Sequence, residues 1–211
     1  MHAEIVVSHP RRGSLTRRVA EEIEEGVKRS GHSAELKDLM TQGFDPRFRD
    51  ADIETHLRNS PPPADVLAEQ ERLDQADALV LVYPVYWWTM PALMKGWIDR
   101  VFTNGWAYEE DDSSITVKKL QRLPIHLVAL PGASQATYER HGYFEAMQKQ
   151  IDHGIFDYCG APVIRHELLF DVGEATARQL ENAHRIGLGV FDPLHIEVAG
   201  SKREPVLSTE K

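Results

Sequence analysis

Sulfur is scarce in this chain. Cys159 is the one cysteine in 211 residues, so no intrachain disulfide can form and a reducing compartment is expected. Positive charge is also short. Lys and Arg number 24 against 33 Asp and Glu, a formal net charge of −9. That balance favours solubility and argues against a nucleic-acid surface, without forbidding a local positive pocket. Long apolar runs are missing: nothing approaches the roughly 18 residues that would cross a bilayer. Ile5-Val6-Val7 is too short for a signal-peptide core, and arginines follow it rather than precede it. A soluble, cytoplasmic protein is therefore expected. No histidine–cysteine cluster has metal-ligand spacing, so no metal site is expected. There is no internal repeat and no long low-complexity segment. Pro61-Pro62-Pro63 is too short for a linker and reads as a rigid connection.

What remains is an ordinary globular composition, 42% apolar and 27% charged. A domain of this length buries enough surface to need no staples. One domain is expected over residues 1–194, with a loosely held tail at 195–211, where periodicity fades and charge rises. Within the domain, strand-like and helix-like segments alternate. Glu4 to Ser8 is short and β-branched. Leu15, Val19, Ile23 and Val27 form an apolar helical stripe over residues 15–30, and Gly31 stops it. Ala34 and Leu36 mark a second strand, and Val66 to Leu73 a second helix. Ala78 to Tyr83 is a continuous apolar run, the mark of a strand covered on both faces. Pro91 opens a helix carrying Leu93, Met94, Trp97, Ile98 and Val101. Ile125–Leu130 and Val163–Phe170 read as strands four and five, with helices over Tyr143–Phe156 and Glu174–Leu188. This order predicts an α/β fold: a doubly wound, five-stranded parallel sheet with helices on both faces and the first strand beside the third.

In such a sheet, ligands bind at the carboxyl ends of the strands. Three loops there are unusual. The first, Ser8-His9-Pro10-Arg11-Arg12-Gly13-Ser14-Leu15-Thr16, leads into a helix start, where free N–H groups attract phosphate. The hydroxyls of Ser14 and Thr16 and the charge of Arg11, Arg12 and His9 can add to that. The plainer reading makes Ser14 a helix cap. The loop matches neither GxxxxGK[ST] nor GxGxxG. The second loop, Tyr83 to Pro91, holds four aromatics, three of them between its two prolines. Exposed aromatics meet something flat or another subunit; the alternative is that Trp87 and Trp88 pack in the core or at an interface. The third, Leu130-Pro131-Gly132-Ala133-Ser134-Gln135, lets a ligand approach backbone at Gly132, or is an ordinary turn. Together, the phosphate cradle, aromatic wall and close-approach turn fit a flavin mononucleotide moiety.

The block from Tyr83 to Phe102, continuing into Gly105-Trp106-Ala107-Tyr108, resembles the flavodoxin-like NAD(P)H:quinone oxidoreductase family. This is the group of DT-diaphorase, the modulator-of-drug-activity reductases and the ancillary proteins of potassium-efflux transporters. The opening His9 to Thr16 and Ala68-Glu69-Gln70 look like it too, and the likeness runs from about Glu4 to about Asp171. The resemblance implies that His9, Ser14, Leu15 and Thr16 surround the flavin phosphate and ribityl chain. Pro84, Val85, Tyr86 and Trp87 would lie along the isoalloxazine, and Leu130, Pro131 and Gly132 would face its polar edge. Pro131 replaces a family glycine there and removes an N–H donor. Tyr138 and His141 are the candidates for a catalytic proton-transferring pair, with Tyr143 as a substitute for either. Lys95 and Asp99 read as an i, i+4 ion pair without chemistry. Trp106 and Tyr108 read as substrate-pocket walls or dimer contacts, and Cys159 as buried and inert.

The resemblance further implies ping-pong transfer of hydride from NAD(P)H through the flavin to a quinone or similar small acceptor, at the interface of a homodimer. FMN is expected rather than FAD, because Gly43 to Pro63 is shorter than the segment that accommodates the longer cofactor. The alternative role is an ancillary regulatory flavoprotein of a potassium-efflux transporter, a membrane partner. A one-electron flavodoxin and a cofactor-free structural protein are the remaining competitors.

Overall fold

The computed structural model describes residues 1–110, 116–170 and 176–192; the tail at 195–211 lies outside the described residues. Strand β1 (His2–Val7) leads through helix α1 (Leu15–Arg29) to β2 (Ser33–Asp38). Helices α2 (Asp50–His56) and α3 (Ala64–Gln75) precede β3 (Ala78–Pro84), and α4 (Ala92–Val101) follows it. A hairpin of β4 (Tyr108–Glu110) and β5 (Thr116–Lys118) comes next, then β6 (Ile125–Leu130), α5 (Gln135–His141) and α6 (Tyr143–Met147). A π-helix (Gln148–Asp157), β7 (Val163–Leu168) and α7 (Thr176–Leu188) complete the described chain.

The main sheet is parallel in the order β2-β1-β3-β6-β7, so the first strand does lie beside the third. Strand β3 is buried along its whole length. Alternation sorts side chains to two cores. Ala3, Ile5, Val7, Val80 and Val82 meet Val19, Ile23 and Val27 of α1 and Ile186 of α7. Val6, Leu79, Leu81, Leu127 and Ala129 meet Leu73 of α3, Trp97 of α4 and Phe156 of the π-helix. Helices therefore cover both faces. Among the described residues, no helix is long and apolar enough to cross a membrane.

Four features depart from the sequence reading, and one is helix α5, over residues for which no helix was expected. Helix α2 has no apolar stripe; it is held by polar bonds, with the Asp52 carboxylate accepting the Arg49 N–H at 2.8 Å. The β4–β5 hairpin was not expected. The helix expected through Phe156 exists, but after Met147 it winds as a π-helix. Ile151 and Phe156, five residues apart, both enter the core, which suits an i→i+5 winding.

Arg100, on α4, fastens the segment before α3 and the first turn of α3 to its own helix. Its Nε donates to Asp52 at 3.0 Å, and its Nη1 to Asp65 at 2.6 Å and to the Asp45 carbonyl at 2.8 Å. Gly96 permits this, because a Cβ there would collide with the backbone of Pro46.

Candidate functional site

The sheet order brings the three loops to one edge. Ser8 donates its N–H to the Val82 carbonyl at 3.3 Å, tying the first loop to β3. Val85 donates to the Leu130 carbonyl at 3.0 Å, tying the second loop to the third.

In the first loop His9 Nδ1 accepts the Arg11 N–H at 3.0 Å, and Ser14 donates its N–H to the Arg11 carbonyl at 3.2 Å. Ser14 Oγ accepts the Arg17 N–H at 3.2 Å, so the cap reading of Ser14 holds. Capping still leaves the N–H groups of Leu15 and Thr16 without an intrahelical acceptor by position, in the positive field of the helix start. Thr16 is buried and Leu15 half-buried, while Arg11, Arg12 and Gly13 are exposed. Arg17 is committed elsewhere, to Glu21 and Asp38.

The second loop holds the sharpest local geometry. Tyr86 and Thr89 exchange N–H···O bonds of 3.0 and 3.2 Å, closing a two-residue turn with Trp87 at φ 49° and Trp88 at φ 61°. Two positive φ values define a primed turn, which Asn-Gly normally fills. Each non-glycine residue there carries a strain of about 1–3 kcal/mol. Packing holds Trp88: its ring stacks on Tyr143 at 3.6 Å and 14°, and meets Tyr138 edge-on at 5.6 Å. Trp87 has no such cover and is 90% exposed. The four aromatics therefore divide. Tyr83 is core and Trp88 is packed, whereas Tyr86 and Trp87 face outward.

In the third loop a Cβ on Gly132 would meet nothing within 4 Å. The backbone there faces open space at the edge the three loops share, which leaves room for a flat ligand. Ser134 precedes α5, its hydroxyl bonded to that of Thr137 at 3.1 Å rather than to a helix-start N–H, and Gly142 at φ 63° turns the chain so that Tyr143 reaches Trp88. Tyr138 is only 3% exposed. It is walled by Trp88, Tyr143 and Phe170, and burial pushes its hydroxyl up to about 12. His141 is exposed and lies tilted against Tyr143 at 5.2 Å.

The other residues singled out from sequence fall outside this edge. Lys95 and Asp99 pair as expected. Burial raises the Cys159 thiol to about 11, as suits an inert cysteine. Trp106 bonds Asp74 at 3.1 Å and lines a cleft of about 490 Å³ with Arg58, Pro61, Gln70 and Thr103. None of that cleft's walls belongs to the three loops. Tyr108 meets His56 and Tyr158. The Trp88–Tyr143 stack and the primed turn had no signal in the sequence, because Trp-Trp carries none of the glycine or asparagine that marks such turns.

The family model described as flavodoxin-like fold matches residues 1–186. The chain belongs to this family. Among its flavodoxin-like relatives, an uncharacterized NAD(P)H oxidoreductase of Haemophilus influenzae is 29% identical over 174 residues, 82% of this chain and 85% of that protein. NAD(P)H dehydrogenase [quinone] 1 of Cavia porcellus is 28% identical over 190 residues, covering 81% and 69%. Among solved structures, the NAD(P)H:quinone oxidoreductase of Methanothermobacter marburgensis superposes with a TM-score of 0.79. It is 29% identical, covering 89% of this chain and 98% of that one.

Proposed function

We propose that this flavodoxin-like protein is a flavin-dependent NAD(P)H oxidoreductase that reduces quinones or similar small acceptors. The observation that carries the reading is the single edge formed by the α1 start, the strained Tyr86–Thr89 turn and the open backbone at Gly132. The names of its relatives and of the similar solved structure support the electron donor and acceptor.

A bound flavin, read as FMN, supplies the two-electron relay between the substrates. The residues around it do the rest. His9, Ser14, Leu15 and Thr16 hold the phosphate end through helix-start N–H groups and hydroxyls. Pro84, Val85, Tyr86 and Trp87 line the ring, and Leu130, Pro131 and Gly132 bound its polar edge. NAD(P)H and then the quinone would use one site beside that ring in turn, in a ping-pong cycle. Tyr138 and His141 move the proton, with Tyr143 between them. A second copy of the chain covers the outward faces of Tyr86 and Trp87 and closes the site.

Acid release of the bound chromophore followed by mass measurement tests the cofactor. Steady-state assays with NAD(P)H and a soluble quinone test the reaction. FMN release and parallel double-reciprocal plots are expected. A colourless protein that takes up no added flavin and oxidises no NAD(P)H would refute the reading.

A further inference from the structure

The amino edge of the sheet, at the opposite end from the three loops, gathers a second group of chemistry-bearing side chains. His2 and Glu4 stand two apart on β1. Strand β2 pairs with it in parallel, Ser33 level with His2 and Glu35 level with Glu4. Alternation then sends all four side chains to one face. One ligand atom each from His2, Glu4 and Glu35 lies within 4.8 Å of the other two. No local spacing announces this cluster, because Glu35 joins it from the neighbouring strand.

Hydrogen bonding fixes what each group presents. Ser33 Oγ donates its hydroxyl hydrogen to the Met1 carbonyl at 3.3 Å. Toward His2 Nδ1, 3.0 Å away, it can therefore only accept. The ring hydrogen sits on Nδ1, and the neutral imidazole presents a lone pair at Nε2. That nitrogen faces Glu4 Oε2 at 4.0 Å. Glu4 is 2% exposed, and its Oε1 is buried without a hydrogen-bond partner among the described residues. A ring lone pair and two carboxylates converging in this way repel one another unless a cation lies between them. The neighbouring charges are already placed. Arg72 of α3 approaches Glu4 at its other oxygen, Nε to Oε1 at 3.5 Å, and also pairs with Glu69. Lys37 Nζ is 3.2 Å from Glu35 Oε1, and Asp77 accepts the His2 N–H at 2.7 Å.

We propose that His2 Nε2, Glu4 and Glu35 bind a zinc-class divalent cation that staples the start of β1 to β2. One imidazole and two carboxylates suit zinc or a similar transition metal better than magnesium or calcium, which favour all-oxygen shells. Zinc bonds to nitrogen and oxygen are about 2.0–2.2 Å, so ligands around one ion stand roughly 3.3 Å apart and the cluster must contract by about an ångström. Glu4 is fixed beneath α3; the exposed Glu35, which exchanges Lys37 for the metal, and the half-buried His2 supply that movement. The Ser33 bond already orients the imidazole as an outer-shell partner orients a metal-bound histidine. A proton is the rival occupant. Burial raises the Glu4 carboxyl to about 7, so the metal displaces that proton and its uptake weakens as pH falls. The site lies far from the proposed flavin edge and is independent of the oxidoreductase reading.

Calorimetric titration of zinc chloride into the untagged, chelator-treated chain tests the site. One zinc per chain is expected, with proton release shown by buffers of different ionisation heat. Glu4→Gln and His2→Ala should each weaken binding at least roughly tenfold. His153→Ala, at the exposed His153–Asp157 pair, should leave it unchanged within about twofold. At free zinc near 100 times Kd, the thermal midpoint should rise by roughly 5–10 °C in the wild type and not in the two site variants. Crystals grown with zinc should show its anomalous peak within about 2.3 Å of His2 Nε2 and of both carboxylates. If Glu4→Gln fails to fold, His2→Ala, at the partly exposed start of β1, carries the test. Binding weaker than about 1 mM, binding that neither site substitution weakens, or a zinc peak elsewhere on the chain overturns the proposal.

Discussion

Trp87 and Trp88 occupy backbone angles that L residues avoid, yet only one of them is packed. The strain at Trp88 is offset by its stack on Tyr143, whereas nothing in the described chain offsets it at Trp87. Asparagine tolerates the left-handed region. Trp87→Asn should therefore raise stability by roughly 0.5–1 kcal/mol, the scale of compatible backbone substitutions, while flavin retention or turnover falls. Denaturant melts and flavin titration measure the two effects; loss of stability with unchanged turnover would mean the ring belongs to the fold rather than the site. Glu4 makes a second case. It is 2% exposed, and burial, opposed by Arg72, lifts its carboxyl from 4.5 to about 7. The folded state then holds the proton more tightly than the unfolded state does. The stability this gives is complete below about pH 4.5 and is lost as pH rises through about 7. Glu4→Gln keeps the neutral shape, so it should stabilise the protein at pH 8 by roughly 3 kcal/mol and leave it unchanged at pH 4. Thermal melts at the two pH values check this, and equal shifts at both would contradict it.

At the scale of elements, helices α1 and α7 cross with their backbones in contact. A Cβ on Gly26 would strike the His184 carbonyl and lie 2.9 Å from Gly187 Cα. Gly26→Ala should cost at least about 1–3 kcal/mol through overpacking, despite alanine's better helix propensity; a stabilised variant in urea melts would contradict this packing. The main strands were legible because Ala78–Tyr83 and Ile125–Leu130 are apolar runs that only a doubly covered sheet buries. Helix α1 was legible from its four-residue stripe. Helix α2 was not, because Asp-Ala-Asp-Ile-Glu-Thr-His is stabilised by Asp52 and Arg100 rather than by an apolar face. Tyr83 counted as one of the loop aromatics in the sequence, but its place in β3 buries it. The His166–Asp152 pair joins residues 14 apart and left no local pattern.

At the scale of the whole molecule, the sheet order places the first, second and third loops on adjacent central strands; the doubly wound order was the expectation, but element order alone cannot rank the strands. This placement leaves Trp87 and Tyr86 uncovered. Sedimentation should therefore show a dimer, and Trp87→Asp should weaken it; a monomer at assay concentrations with full turnover would remove the second copy from the site. Arg100 acts over the same scale. It is buried and bridges Asp52 and Asp65, so Arg100→Ala should cost about 3–5 kcal/mol, as for other broken buried pairs.

That clasp also has a temporal side. Its partners stand 35 to 55 residues before Arg100, so a growing polypeptide cannot close it until α4 has been synthesised. The stretch around Asp45 and Asp52 must wait, unanchored, for a cation that arrives later. In native-state hydrogen exchange, the amides of α2 should then open together, ahead of the sheet, as one late-acquired and first-released unit.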